Sequence, residues 1–151
     1  MDYKTALNKA SAICSKQEYC LYDIRRKLKK WEISDADQDK ILKHLVDEQF
    51  IDESRYASFY VRDKFRFNHW GRKKIWWQLR QKGLPEEIIN EALEQIDEEN
   101  YLEVLEAIIR DKQKQIRDRE PVKQKAALIR HAVSKGYEYQ DVIKVVEQLL
   151  H

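Results

Sequence analysis

Residues 71–96 read GRKKIWWQLRQKGLPEEIINEALEQI. Within this stretch Ile75, Leu79, Gly83, Leu84, Ile89, Leu93 and Ile96 recur at helical spacing around a break at Gly83-Leu84-Pro85. Adding 53 to each number lands on Leu128, Ala132, Gly136, Tyr137, Val142, Val146 and Leu149, a second copy of the pattern. A looser third version lies near the N-terminus. Subtracting 51 from Ile75 and Leu79 gives Ile24 and Leu28, Ile41 and Leu45 correspond to Ile89 and Leu93 after a small insertion, and Glu32 stands where the other copies have Gly.

An amphipathic run precedes each copy: Ala6 to Cys14, Tyr56 to Phe65, and Tyr101 to Ile116. The unit is therefore three helices in about 50 residues, used three times. The pattern predicts an all-α chain of nine helices in an elongated array of either hand, divided into repeats at 1–50, 51–97 and 98–151. Boundary residues agree: Ser15 and Glu18 form an S-x-x-E box, and Asp52 precedes a helix. Pro85 and Pro121 suit a first turn, DADQD and DEEN open helices, and Gly83 and Gly136 end them.

Composition narrows the class further. Of 151 residues 37% are charged and 42% apolar, with only 3 Gly and 2 Pro, which favours helices over a turn-rich sheet protein. No run of about 18 apolar residues could span a membrane, and the N-terminus lacks a signal-peptide pattern, so the expected location is the cytoplasm. Cys14 and Cys20 fit no zinc spacing and are expected as free thiols, Cys14 in a core stripe with Ala6, Leu7 and Ala10; the four His are scattered. Neither a metal nor a cofactor is expected. A phosphate-binding Gly loop, an H-E-x-x-H pair and a nucleophile elbow are all missing from the sequence, so the chain reads as a non-enzyme.

The net charge of +2 conceals a polarity. Residues 1–82 carry 19 Lys and Arg against 12 Asp and Glu, and residues 83–151 carry 10 against 15. The basic part holds FRFNHWGRKKIWW, residues 65–77, with three of the four Trp. On a helix from Arg72, Ile75 and Leu79 point inward, and Trp77 lies about 200° round from Ile75. Lys73 at i−4 and Arg80 at i+3 then flank Trp77 in a basic ridge that either faces a partner or fills a groove against a neighbouring repeat. Arg62, Arg66 and Arg72 border the ridge, and the cluster containing Arg25 and Arg26 extends the basic surface. Tyr56, Ala57, Phe59, Tyr60, Val61 and Phe67 read as core. The eight residues Arg25, Arg26, Arg62, Arg66, Arg72, Lys73, Trp77 and Arg80 are the candidate partner-binding set.

The stretch FIDESRYASFYVRDKFRFNHWGRKKIWWQLRQKGLPEEIINEAL resembles the signature region of the RecX family, bacterial regulators of the RecA recombinase. The matching positions are Asp52, Tyr56, Ala57, Val61, Arg62, Gly71, Ile75, Leu79, Lys82, Gly83 and Leu84. The first repeat departs most, since KKWEI lacks the Gly corner. The resemblance implies an array of three-helix units lying in the groove of a RecA filament on single-stranded DNA. It also implies that the array modulates, usually by inhibition, ATP hydrolysis, strand exchange and co-protease activity, and so acts in DNA repair, recombination and the SOS response. The partner expected is the RecA filament, with single- or double-stranded DNA as a further contact; no membrane is expected, and the chain is expected as a monomer. The alternative is a helical DNA-binding module acting on nucleic acid directly.

Overall fold

The computed structural model describes residues 1–118 and 120–150; His151, one of the four His, lies outside them. Among the described residues there are nine α-helices and no strand. They are α1 (Tyr3–Lys16), α2 (Leu21–Lys30), α3 (Asp35–Asp47), α4 (Glu53–Asn68), α5 (Arg72–Gln81), α6 (Glu86–Leu93), α7 (Glu98–Gln115), α8 (Pro121–Ser134) and α9 (Tyr139–Leu149). Short polar side chains start several of them. Asp2, Ser34, Asp52 and Asp97 each accept a bond from the backbone N–H three residues on, satisfying an amide that the helix leaves open. Pro121 occupies the first position of α8.

The middle helices α2, α5 and α8 carry Ile24/Leu28, Ile75/Leu79 and Leu128/Ala132, all buried and all at equivalent positions. They also end in one way. Glu32, Gly83 and Gly136 adopt left-handed φ of 60°, 83° and 102°, and each N–H returns to the carbonyl three residues back, at 3.0, 2.9 and 2.9 Å. The next residue, Ile33, Leu84 or Tyr137, is buried and donates to Leu28, Leu79 or Ala132 at 3.1, 3.3 and 3.3 Å. This pair of bonds closes the helix end and turns an apolar side chain into the core. Glu32 thus makes the same corner as the two glycines, at the steric penalty of a Cβ in the left-handed region.

Contacts concentrate in two compact units, Met1–Phe59 with Leu79–Ala92, and Tyr60–Gln78 with the chain from Leu93 onward. In the first, Ala6, Ala10 and Cys14 of α1 pack with Ile24 and Leu28 of α2 and with Ile41, Leu42 and Leu45 of α3. Lys82 bonds Asp23 at 3.0 Å and the Tyr56 hydroxyl at 2.8 Å. Ser15 departs from the sequence expectation. It lies inside α1, bonded to the Ser11 carbonyl, and Glu18 pairs with Arg55 at 2.7 Å; the amide of Cys20 before α2 is served by Asp23 instead. The local S-x-x-E pattern is overridden because α1 continues until Cys14 has been delivered to the core.

In the second unit α7, α8 and α9 pack pairwise, and Phe65, Tyr101 and Tyr137 form a buried aromatic row with centroids 5.8 and 4.8 Å apart. The end of α8 meets the start of α5. Gly71 N–H donates to the Lys135 carbonyl at 2.7 Å and Lys73 N–H to the Gly136 carbonyl at 2.9 Å, while Arg72 N–H reaches the Tyr101 hydroxyl at 3.0 Å. Open amides of one helix thereby satisfy open carbonyls of another, with opposite dipole ends facing. A Cβ on Gly71 would fall 2.3 Å from the Gly136 carbonyl carbon. Gly83 has no atom within 4 Å of such a Cβ. We expect Gly71→Ala to lower stability by about 3 kcal/mol or more, since backbone must move. Gly83→Ala should lose only the about 1–2 kcal/mol of left-handed strain. Thermal melts of the two variants check the ranking, and equal losses would contradict it.

Candidate partner-binding surface

With Ile75 and Leu79 fully buried, the pitch of α5 carries Trp77 to the opposite side, where it is 60% exposed and packs edge-on against half-buried Trp76 at 5.2 Å. Lys73 and Arg80, one turn before and one after, are exposed as well. Arg80 is held by its own corner, donating to the Leu84 carbonyl at 3.1 Å. The outward ridge of α5 therefore consists of an open indole between two cations.

Other members of the candidate set are engaged within the fold. The Arg72 guanidinium lies 3.9 Å from the Tyr101 ring centroid, bonds Glu138 at 2.9 Å and pairs with Glu98. Tyr101 in turn donates to Glu138, and burial followed by this bond raises its pKa, so the hydroxyl stays protonated. In the first unit Arg25 bonds Gln38 at 3.2 Å and Asp39 at 2.9 Å, while Arg26 is exposed over Tyr22. Arg62 and Arg66 stand exposed one turn apart on α4, and among the described residues neither forms an ion pair.

Much of the aromatic density in residues 65–77 has an internal use. Trp70 lies between the ammonium groups of Lys64 at 5.2 Å and Lys74 at 4.6 Å and meets Tyr60 edge-on. Tyr56, Ala57, Tyr60, Val61 and Phe65 are core, but Phe59 and Phe67 are 44% and 69% exposed, contrary to their reading as core. The heptad-like spacing of Phe67 from Tyr60 misleads because α4 ends at Asn68 and leaves the ring in its last turn open to solvent. Phe67, with Arg66 at 5.4 Å from its ring, is thus an exposed aromatic that sequence reasoning missed. Its signal is its place beside the helix end at Asn68-His69.

No group of three or more His, Cys, Asp or Glu suited to a metal occurs among the described residues. Burial pushes the thiols of Cys14 and Cys20 up to about 11 and about 12, so both free cysteines stay protonated at neutral pH. Burial, with added repulsion from Asp23 and Asp52 against a stabilising Leu21 amide, pushes Glu53 up to about 7. That carboxyl is turned into the first unit, with Oε2 unbonded among the described residues. No helix among them is long and apolar enough to cross a membrane.

The comparisons with known proteins match this arrangement. The family described as "RecX, second three-helix domain" matches residues 52–93, from the cap of α4 to the end of α6. The Regulatory protein RecX of Prosthecochloris aestuarii is 30% identical over 149 residues, covering 99% of this chain and 96% of that protein. The chain belongs to the RecX family. A second relative, the Regulatory protein RecX of Clostridium beijerinckii, is 32% identical over 130 residues, 85% of this chain and 60% of that longer protein. A crystal structure titled as regulatory protein RecX superposes with a TM-score of 0.88 at 26% identity, over 97% of this chain and 71% of that one. Several positions that carry the RecX resemblance have structural duties here: Asp52 caps, Lys82 bonds Tyr56, and Gly71 admits Gly136.

The exposure of the α5 ridge leads to a clear contrast. Trp77→Ala should change stability by no more than about 0.5 kcal/mol, whereas Ile75→Ala, on the next residue but one, should lose about 2–5 kcal/mol. Denaturant titration followed by circular dichroism measures both, and similar losses would contradict the outward assignment.

Proposed function

We propose that this RecX protein binds the RecA filament on single-stranded DNA and lowers its ATPase, strand-exchange and co-protease activities, acting by binding and without catalysing a reaction. The observation that carries the reading is a match to a protein named Regulatory protein RecX along nearly the whole of both chains. The outward ridge of Lys73, Trp77 and Arg80 supplies compatible chemistry, an aromatic anchor ringed by cations. Arg26, Arg62 and Arg66 add free positive charge, while Arg25 and Arg72 hold the units that present it. The repeats bounded at 1–50, 51–97 and 98–151, each with a corner of the same geometry, would let one monomer span several protomers of a cytoplasmic filament. Such a bridge alters activity only by binding one filament state better than another.

The open indole beside Lys73 and Arg80 also favours a second reading, direct stacking on single-stranded nucleic acid. That contact would weaken steeply with salt in the absence of RecA.

RecA ATPase on single-stranded DNA tests the first reading. Substoichiometric wild-type protein should lower the rate, and Trp77→Ala with Arg80→Ala should lose the effect while its melting temperature is retained. An unchanged RecA rate with wild-type protein would overturn the filament reading. Equal action by the double variant would remove the ridge from it.

A further inference from the structure

Beside α4 the second unit contains a cavity of about 430 Å³. Its floor is apolar, built from buried Val61 and Phe65 on α4 and half-buried Ile96 and Val104 from the segment entering α7 and from α7 itself. One lip carries Arg62 and Arg66, both exposed and both without an ion pair among the described residues. The other carries Asp97, whose carboxylate already accepts the Asn100 amide at 2.9 Å as the cap of α7.

Two arginines one turn apart repel each other unless an anion lies opposite. An apolar hollow of this size, within the about 300–1,000 Å³ of ordinary ligand sites, buries a large side chain when filled. The two features adjoin, so one occupant can satisfy both. We propose that this groove is a docking site for an acidic segment of a protein partner, which inserts one large apolar side chain over Val61 and Phe65 and sets its carboxylates on Arg62 and Arg66. The inference rests on the reading of this chain as a regulator that docks a protein, and it names the chemistry of what is docked.

A nucleic-acid strand suits the groove less well. The floor is aliphatic apart from the buried ring of Phe65, so a base would meet only the exposed His69 imidazole at the rim. Asp97 on the far lip would oppose a phosphate chain running along the groove, whereas a peptide with its acids on one side leaves that lip to polar groups.

The test uses the full chain and short fluorescein-labelled peptides of Glu and Ser with one central Phe, Leu or Trp, read by anisotropy. At least one anchored peptide should bind saturably. Replacing its anchor by Ser, or its Glu by Gln, should weaken binding by about tenfold or more, as should Arg62→Ala with Arg66→Ala in the protein. Val104→Arg should block the hollow. If that variant fails to fold, the exposed arginine pair carries the test alone. Anchored peptides that bind no better than the Ser control, or bind the arginine variant as well as wild type, would overturn the proposal. So would oligo-dT binding that depends on Arg62 and Arg66 when no peptide binds. RecA ATPase separates the two readings. Wild type that binds peptide but leaves the ATPase unchanged sinks the filament reading and keeps the groove. Wild type that slows the ATPase, with an arginine variant acting equally well, sinks the groove and keeps the filament.

Discussion

Gly71 and Gly136 meet backbone to backbone, with no room for a single added methyl group on either. Much of the second unit follows from that approach. It sets the first amides of α5 on the last carbonyls of α8, so the rotation of α5 about its axis is fixed at its origin. From there the helical pitch carries Ile75 and Leu79 inward and leaves Lys73 and Trp77 facing water. Arg72, the first residue of the helix, is drawn between Glu98 and Glu138 and cannot join the outward ridge. The display of the ridge is thus a consequence of close packing at two glycines far apart in sequence.

The left-handed corners do comparable work within each middle helix. A helix that simply frayed after Leu28, Leu79 or Ala132 would expose carbonyls and leave the next apolar side chain without a fixed direction. The paired bonds at Glu32, Gly83 and Gly136 instead place Ile33, Leu84 and Tyr137 in the core. Glu32 does so without being glycine, because core burial on both sides of it outweighs the strain of one residue, about 1–2 kcal/mol. Its neighbours Leu28 and Ile33 are both buried, which is the compensation on view.

Periodicity made the inward positions legible: the offset of 53 paired Ile75 with Leu128 and Leu79 with Ala132, and all four are buried. Caps at Asp52 and the acidic openings at Asp35 and Asp97 were equally readable, since their chemistry spans only three residues. What escaped the sequence depends on partners distant in the chain. Nothing local indicates that Arg72 meets Glu138, 66 residues on, or that the ring of Phe65 meets that of Tyr101. The basic and aromatic density of residues 65–77 therefore looked more outward than it is. Phe67 erred in the opposite sense, because a spacing rule assumes that a packing face continues past the point where α4 stops. Arg62 and Arg66 were legible as candidate residues, but the groove they line was not, since its walls come from α4, α7 and the segment entering α7.

Trp77 is held outward by the fold, and under the proposed function its indole is a contact to the filament. Protein labelled with 5-fluorotryptophan reports on it directly, because the four indoles occupy distinct surroundings, Trp31 beside Lys9, Trp70 between two lysines, Trp76 half-buried and Trp77 open. Single Trp-to-Phe variants assign the fluorine resonances. On addition of RecA filaments on single-stranded DNA, the Trp77 resonance should shift and broaden while that of Trp31 keeps its position. A Trp77 resonance unmoved by saturating filament would contradict the account.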